Sequence, residues 1–383
     1  MPQYAASEFR SQNSYTTMAS LTPPSSGTTT PDYRAALATR LRGQTIIVPD
    51  VLRTVYNNPT IQLNDTEILN GPVEAWLEKY VPTISQRAKK HKANIPLISS
   101  HFWTHVPKEK LEVLASFVAW IFLWDDEIDC GSLTLDREER TDAYCDDAIA
   151  FIKSCMQPEL NHVRPAAGRL HHSGCFIDIG TAMQDGQSKT DRDRYVNAIV
   201  AYINSVRASQ AQWQVGVDSV EDFIERRSKT IAVYPTLYTH AWGYGIKLPE
   251  WIWDHESVQA MVREVSVTVA LYNDMASLKK ELKADEVDNI IPILVYHHNI
   301  SAQEAVDMTV KILEDSYKTI TAAIGRLEST VDAESDHIKR DVRVWVDACV
   351  DMLVGNVAWS LAIPRYLPRT AFSDGNLGFE IML

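Results

Sequence analysis

Three oxygen-bearing side chains recur at intervals of four residues in the second half of the chain: Asn273, Ser277 and Glu281. Residues four apart lie on the same face of an α-helix, so the amide, the hydroxyl and the carboxylate would form one column. All three supply hard oxygen ligands of the kind that Mg2+ prefers. A single negative charge would leave the bound ion cationic enough to hold a phosphate as well. The spacing therefore predicts a magnesium site on a helix.

A second acidic cluster stands far upstream, directly after an apolar run over residues 117–124. Its aspartates are Asp125, Asp126 and Asp129; the first and last share a helix face, and Asp126 is rotated by about 100° from Asp125. Two Mg2+ sites of unequal charge would suit a substrate whose diphosphate lies between them. Taken alone, this cluster is equally typical of a helix end exposed to solvent.

Three segments, in this order, resemble the motifs of class I terpene synthases: the aspartate-rich motif, the second metal motif, and a C-terminal Trp, Arg and Tyr. The matching residues are Asp125-Asp126-x-x-Asp129, Asn273-Asp-x-x-Ser277-x-x-Lys280-Glu281, and Trp359 with Arg365-Tyr366. Their order and spacing are similar to those of a microbial cyclase of the fungal type. The similarity covers most of the chain after its first ninety residues.

The resemblance implies a role for each matching acid and amide. The metal ligands that it implies, for three Mg2+ ions in all, are Asp125, Asp129, Asn273, Ser277 and Glu281. Asp126 would pair with a basic residue when the site closes. Asp274 points to another face of its helix, and we do not expect it to bind metal.

Basic residues must hold the diphosphate. The resemblance implies that Lys280, Arg365 and Tyr366 contact the leaving group. Arg227 precedes Asn273 by the separation that the family shows for its diphosphate-sensing arginine. A guanidinium offers a rigid fork of donors that suits phosphate oxygens.

The sensor region departs from the family pattern in two ways. Arg226 is adjacent to Arg227, so the sequence leaves open which of the two faces the site. The glycine that follows the sensor one helical turn later in bacterial relatives is Ile231 here, with Ala232 next. We therefore expect the helix break at this point to be built differently.

A carbocation must be stabilised without a nucleophile, and aromatic faces do this by cation–π attraction, worth about 2 kcal/mol or more when desolvated. Phe122 lies one turn before Asp125, and Trp359 lies where the family places a cavity tryptophan. Further candidates, each equally explained as ordinary core, are Phe102, Tyr238 and Tyr272.

Composition limits the classes of partner. The formal net charge is −13, which argues against nucleic acid or an anionic membrane surface as the main partner. The five cysteines are scattered without a CxxC spacing, so we expect reduced thiols in a cytoplasmic protein rather than a disulfide framework or zinc site. No apolar run is long enough for a membrane span.

Apolar residues recur at helical spacing through most of the chain, and no alternating stretch demands a sheet. We predict an all-α fold: one class I terpenoid synthase domain of about ten helices around a central cavity. Residues 45–370 would form this domain, between a disordered N-terminal tail over residues 1–44 and a C-terminal tail over residues 371–383.

The expected activity is Mg2+-dependent cyclisation of a linear isoprenyl diphosphate, with C15 farnesyl diphosphate favoured over C20 geranylgeranyl diphosphate. A chain-elongating prenyl transferase would carry a second DDxxD motif in place of the Asn/Ser/Glu set, and a class II cyclase would carry DxDD. A non-enzymatic helical interaction protein would show no Mg2+ dependence. The expected oligomeric state is a monomer or homodimer.

Overall fold

The protein is described from a computed structural model that covers residues 32–81, 83–130, 137–160, 173–212, 217–367, 371 and 378–383. Most of these residues are helical. The α-helices are α1 Asp32–Leu41, α2 Val51–Thr54, α3 Glu67–Tyr80, α4 Ile84–His91, α5 Ile95–Phe102, α6 Lys108–Cys130, α7 Arg137–Met156, α8 Phe176–Met183, α9 Lys189–Gln212, α10 Val220–Thr230, α11 Val233–Tyr244, α12 Glu250–Trp253, α13 Glu256–Leu282, α14 Ile290–His298, α15 Ala302–Val331 and α16 Asp336–Ala362. The all-α prediction is confirmed.

The described part of the chain contains more helices than the ten or so expected from periodicity. The long helices α6, α7, α9, α13, α15 and α16 lie where the apolar pattern predicts them. The additional helices are short, down to four residues in α2 and α12. Such segments have too few turns to produce a periodic pattern, and packing against longer helices stabilises them instead.

The helix starts follow local capping chemistry. Ser301 and Glu304 form a complete capping box at the start of α15. The Ser219 side chain accepts a hydrogen bond from the backbone N–H of Asp222 at the start of α10. Both starts are visible in the sequence because a capping residue and its partner lie within one turn.

The domain boundaries expected at residues 45 and 370 are wrong in part. Residues 32–41 form helix α1, and Leu37 and Leu41 are buried in the core. Strand β1, Thr45–Val48, pairs antiparallel with strand β2, Phe379–Met382. Sequence periodicity could not show this pairing, because each strand has only four residues and the two lie at opposite ends of the chain. Residues 1–31 lie outside the described residues.

Helix α13 occupies the centre of the bundle. It packs against α10, α11, α15 and α16, and 19 of its 27 residues are buried. Buried residues surround nearly the whole circumference of the helix, so a polar side chain on it costs free energy unless it has a partner or a ligand. The second metal motif lies on the last two turns of this helix.

Helix α16 is long and apolar enough to span a membrane by length and composition alone. In the structure, 67% of its apolar window is buried inside the bundle, and it packs against α5 and α13. This burial is typical of the core helix of a globular protein.

Four of the five cysteines are described at the side-chain level: Cys145, Cys155, Cys175 and Cys349. All four are buried thiols, in agreement with the expectation of reduced cysteines. Burial raises the pKa of the Cys175 thiol to about 12, so it is protonated and unreactive at neutral pH.

Candidate active site

The second metal motif forms the predicted column near the end of α13. The Asn273 amide oxygen accepts a hydrogen bond from Arg227 at 3.1 Å, and its amide nitrogen donates to the Tyr366 hydroxyl at 3.1 Å. One turn later, the buried Ser277 hydroxyl donates to the Asn273 carbonyl at 2.8 Å. At the next turn, Glu281 accepts from the amide of Asn289 at 2.8 Å. These contacts fix the rotamers of the column.

Asp274 does not belong to the column, as predicted, but it has a partner that the sequence did not reveal. Its carboxylate is 1% exposed and accepts from the Arg227 Nε at 2.9 Å. It also accepts from the backbone N–H of Ile290, at the start of α14, at 3.0 Å. Burial raises the pKa of Asp274 while the Arg227 guanidinium opposes this rise. Asp274 thus holds Arg227 beside Asn273.

The two adjacent arginines of α10 have different partners. Arg226 forms ion pairs with Asp218 at 2.7 Å and with Asp288 at 2.6 Å. Neither of these carboxylates belongs to a metal motif. Arg227 instead contacts the second motif. Burial raises the pKa of the Asp125 carboxyl, and Arg227 is close enough to oppose this rise. The structure therefore assigns the position beside the motifs to Arg227 rather than Arg226.

The helix break after Arg227 is built without glycine. Helix α10 ends at Thr230, and α11 begins at Val233. Between them, Ala232 adopts a left-handed backbone with a φ of 61°. This conformation is costly for a residue with a Cβ atom. The break thus lies one position beyond that of the bacterial glycine and carries backbone strain next to the candidate sensor.

The aspartate-rich motif lies at the end of α6. Asp125 accepts a hydrogen bond from the Tyr202 hydroxyl of α9 at 3.3 Å. Burial raises the pKa of the Asp125 carboxyl, and the neighbouring Asp126 adds to this rise. The Asp129 side chain lies outside the described residues, so its predicted metal role stays a prediction.

Asp126 is surrounded by basic side chains from helix α4 and the C-terminal segment. Lys90 of α4 forms an ion pair with it and donates to the Phe122 carbonyl at 2.5 Å. Lys89 lies 3.4 Å from Asp126, and Arg365 lies 3.9 Å away. Burial raises the pKa of Asp126, but the Lys90 ammonium and the other cations outweigh it, so the net pKa is lowered.

Lys90 is a site residue that sequence reasoning missed. It is only 3% exposed, and a lysine buried to this extent is rare unless it is paired. The sequence shows only a basic run at the end of α4, which is typical of a helix C-terminus. No local signal distinguishes the buried Lys90 from its exposed neighbours.

The C-terminal residues connect the two motifs. Tyr366 contacts Asn273 of the second motif, and the adjacent Arg365 lies beside Asp126 of the first. The Arg365 guanidinium also lies 5.7 Å from the centre of the Phe122 ring. Since two consecutive residues reach both motifs, the two motifs lie close together. We call the region between Asp126, Asn273, Arg365 and Tyr366 the opening.

Two predicted aromatic residues meet beneath this opening. The rings of Phe122 and Trp359 lie 6.2 Å apart, and Trp359 contacts the Tyr366 ring edge-on at 5.7 Å. The Trp359 indole donates to the Ala93 carbonyl at 2.8 Å, which satisfies its polar atom and leaves its faces for apolar contact.

Four candidates remain: Lys280, Phe102, Tyr238 and Tyr272. Lys280 lies on the same face of α13 as Asn273 and is exposed. Phe102 is buried against Trp103. Tyr238 packs on Trp253 instead, and Tyr272 is turned toward Tyr56, on the side of α13 opposite to the column. Tyr238 and Tyr272 therefore do not join the site, because tertiary packing gives them other neighbours.

The donor set fits a magnesium ion. Asn273 and Glu281 contribute an amide oxygen and a carboxylate on one helix face, and Ser277 contributes a hydroxyl oxygen between them. The Ser277 oxygen uses its hydrogen toward the backbone, so its lone pairs stay available. Hard oxygen ligands with one full negative charge match the preference of Mg2+.

Comparison with known proteins agrees with this geometry. Residues 116–319 match the family described as terpene synthase family 2, C-terminal metal binding. This segment is more than half of the chain and contains both motifs. The chain belongs to this family, and it is a class I terpene synthase.

Several of the similar proteins are fungal enzymes. The chain is 28% identical over 351 residues to terpene cyclase braA of Annulohypoxylon truncatum, covering 90% of this chain and 92% of that protein. It is 25% identical over 350 residues to sesquiterpene cyclase hepA of Aspergillus oryzae, covering 87% and 92% respectively. The (+)-eremophilene synthase of Gibberella fujikuroi is 23% identical over 331 residues, covering 84% and 88%.

Solved structures show the same fold. The crystal structure of a-eudesmol synthase matches with a TM-score of 0.70 and 17% identity, covering 79% of this chain and 97% of that one. Hedycaryol synthase in complex with HEPES also matches with a TM-score of 0.70, at 18% identity, covering 82% and 98%. The all-α architecture is therefore that of class I terpenoid synthases.

Proposed function

We propose that this protein converts farnesyl diphosphate into a cyclic sesquiterpene, a hydrocarbon or an alcohol, and releases diphosphate. The observation that carries the proposal is the contact of Arg365 and Tyr366 with both metal motifs. A diphosphate held at this opening would touch acids, amides and basic groups contributed by α6, α10, α13 and the C-terminal segment. That arrangement suits a substrate that must be ionised at its diphosphate end.

The basic residues would bind the leaving group. Arg227, Arg365 and Lys280 are cations near the opening, and the Tyr366 hydroxyl can donate a hydrogen bond. Together they would hold the diphosphate oxygens and neutralise charge as the allylic C–O bond breaks. Together with bound Mg2+ ions, these cations would give the site the positive charge that a chain with a net charge of −13 needs there to bind an anion.

Three Mg2+ ions, held by Asp125, Asp129, Asn273, Ser277 and Glu281, would supply electrophilic assistance to the departing diphosphate. Asp126 would not bind metal in this scheme. Its pairing with Lys90 and Arg365 would orient the end of α6 and bring the C-terminal segment over the opening when the substrate binds.

The aromatic rings beneath the opening would receive the carbocation. Phe122 and Trp359 present π-faces that attract a cation without reacting with it. The apolar walls would fold the chain so that one double bond meets the allylic cation, and closure would exclude bulk water. The reaction would end by proton loss, with bound diphosphate as a candidate base, or by capture of one water.

We propose the C15 substrate rather than the C20 substrate because farnesyl diphosphate is the commonest substrate of single-domain class I terpene synthases with this length and these motifs. One similar protein is named a sesquiterpene cyclase. A diterpene cyclase that acts on geranylgeranyl diphosphate is the second candidate. We further propose a cytoplasmic enzyme that is a monomer or homodimer.

The experiment that tests this function is an incubation of the purified protein with C10, C15 and C20 isoprenyl diphosphates, followed by gas chromatography–mass spectrometry. Parallel samples contain Mg2+ or EDTA. We expect a cyclic C15 product that disappears with EDTA. Cyclic product from the C20 substrate alone would replace the first candidate by the second. No product at any length from folded protein would contradict both.

A thermal-shift measurement separates the enzyme from a non-enzymatic helical protein. Ligands that bind only the folded state raise Tm by mass action. We expect Mg2+ and inorganic diphosphate together to raise Tm more than either alone, because the ions and the anion bind jointly. A control variant, Asn273→Ala, should lose this joint effect. Equal Tm values under all conditions would support the non-enzymatic alternative.

A further inference from the structure

Asn289 is a buried amide that links the end of α13 to the start of α14. It is 0% exposed. As the N-cap residue of α14, it accepts a hydrogen bond at its side-chain oxygen from the backbone N–H of Ile291 at 3.0 Å. Its side-chain nitrogen donates to the Asp274 carbonyl at 2.7 Å and to the Glu281 carboxylate at 2.8 Å. An amide nitrogen carries two hydrogens, so both are used.

The backbone on both sides of Asn289 is tied to neighbouring helices. The Asp288 carboxylate accepts two hydrogen bonds from Arg226 of α10, at 2.9 Å and 2.6 Å. The backbone N–H of Ile290 donates to the buried Asp274 carboxylate of α13 at 3.0 Å. Because both neighbours are held, the Asn289 amide has a fixed position relative to the second metal motif.

Glu281 depends on this amide for its orientation. A glutamate side chain has three torsions and loses much rotamer freedom when it is held in one place. Within the described residues, Asn289 is the one hydrogen-bond donor to the Glu281 side chain, and it engages only Oε2. The other oxygen, Oε1, accepts no hydrogen bond from these residues, so it stays available as a ligand.

We propose that Asn289 is a positioning residue that orients the Glu281 carboxylate and thereby sets the Mg2+ affinity of the second metal motif. The inference rests on the proposed function. A neutral amide suits this role because it holds the carboxylate without cancelling its charge. A lysine or arginine at the same place would form an ion pair and repel a divalent cation. Removing the partner that holds a metal ligand typically lowers metal affinity by about 10- to 100-fold.

The variant Asn289→Ser separates the positioning role from the capping role. Serine is a good N-cap residue, so α14 keeps its start, but the shorter side chain does not reach Glu281. Tm is measured as free Mg2+ is raised at a fixed concentration of inorganic diphosphate, which requires no turnover. We expect the Mg2+ concentration that produces a given rise in Tm to be about 10- to 100-fold higher than in the wild type.

The kinetics of farnesyl diphosphate turnover give an independent readout. Saturating Mg2+ compensates for a weaker metal site once every site is filled. In Asn289→Ser we therefore expect the Mg2+ concentration at half-maximal rate to rise by the same factor, while kcat at saturating Mg2+ changes far less. A role limited to fold stability would not produce this division between the two parameters.

Two further variants serve as controls. Ser335→Ala removes the N-cap of α16; it should lower Tm in the absence of ligands and leave the Mg2+ dependence of the Tm rise unchanged. Asn289→Ala loses the cap of α14 as well as the contact with Glu281. Its Tm without ligands should therefore lie below that of Asn289→Ser, whereas its Mg2+ dependence should be the same as in Asn289→Ser.

The outcomes separate this inference from the proposed function. A wild-type Mg2+ dependence in Asn289→Ser would overturn the inference, and so would loss of the fold in that variant, because Asn289 would then have a structural role. If the wild type responds to Mg2+ and diphosphate but converts no isoprenyl diphosphate, the proposed function fails and the Tm comparison still decides the role of Asn289. No response to Mg2+ and diphosphate in the wild type would refute both.

Discussion

Two carboxylates at the opening, the part-buried Asp126 and the buried Asp274, take their basic partners from other helices. Asp126 is paired with Lys90 of α4, and Asp274 with Arg227 of α10. A buried charge without a partner is strongly unfavourable. These pairs therefore fix where α4 and α10 meet the ends of α6 and α13. The same pairs keep basic groups beside the metal motifs, where a diphosphate needs them.

The column on α13 gives the first prediction. Replacing Asn273 or Glu281 with alanine removes one hard oxygen ligand from the proposed metal site. Turnover should fall by more than about a hundredfold, since one such contact contributes about 3 kcal/mol to transition-state stabilisation. Steady-state kinetics measures the loss, and circular dichroism should show an intact fold. The exposed Glu328→Ala of α15 is the control. Wild-type activity in either column variant would refute the metal assignment.

Asp126 gives a prediction for pH. Its pKa in the folded protein is lowered below its usual value, with burial opposing and Lys90 dominating. A carboxyl with a lowered folded pKa stabilises the protein above its unfolded pKa, and this contribution is lost as the pH falls through the folded value. The difference in unfolding free energy between wild type and Asp126→Asn should be constant near neutrality and shrink below about pH 4.

Urea denaturation at several pH values measures this difference. The exposed pair Lys311–Asp315 provides the control, because Asp315→Asn should change stability little at any pH. A difference between wild type and Asp126→Asn that does not depend on pH would show that Asp126 gains nothing from Lys90.

At the scale of elements, the backbone is strained at the break between α10 and α11. Packing of the two helices must offset the free-energy cost of this strain. Ala232 has a positive φ of 61°, which costs a residue with a Cβ atom about 1–2 kcal/mol. Helices α10 and α11 both pack on α9 and α13, and this packing fixes the angle between them. The strain lies five residues after Arg227, where a small backbone shift would move the guanidinium.

Ala232→Gly should therefore stabilise the protein. Glycine adopts a positive φ without steric cost but loses more entropy on folding, so the expected net gain is about 0.5–1 kcal/mol. Urea denaturation measures it. Ala322→Gly, at an exposed helical position of α15, is the matched control and should lose about 1 kcal/mol. Equal losses from the two substitutions would mean that the break is unstrained.

The pairing of the chain ends is the other feature at this scale. Phe379 and Ile381 of β2 are buried, and the Met382 carbonyl accepts from Lys279 of α13 at 2.7 Å. Phe379→Ala should destabilise the protein by about 3 kcal/mol. Met382→Ala should change stability by less than about 0.5 kcal/mol, since that side chain is 61% exposed. Thermal unfolding of both variants tests this, and equal Tm values would contradict the role of β2.

At the scale of the whole molecule, charge and apolar burial together set what the surface can bind. The net charge is −13, and the one helix with membrane-like composition among the described residues is α16, most of which faces the core. The basic groups at the opening are paired with acids of the motifs. The net negative charge of the protein therefore repels anionic lipid.

A flotation experiment with anionic vesicles tests this distribution. We expect the protein to stay in the dense fraction at low ionic strength, where electrostatic attraction to lipid would be strongest. A cationic protein of similar size should float with the vesicles as the control. Flotation of this protein would mean that an apolar or basic surface is available to membranes.

The sequence by itself determined the features whose signal is local. The alignment of Asn273, Ser277 and Glu281 in one column needs only residues four apart on one helix, and the capping box at Ser301 needs only residues three apart. The long helices likewise follow from a repeating apolar pattern. These predictions succeeded because helix geometry converts a fixed spacing in sequence into a fixed relation in space.

Only the tertiary structure decided which distant residues meet. It paired Asp126 with Lys90, assigned Arg227 rather than Arg226 to the motifs and joined β1 to β2. Each of these outcomes depends on how helices pack, and packing is the sum of many weak contacts between residues far apart in the chain. No short segment of the sequence contains that sum.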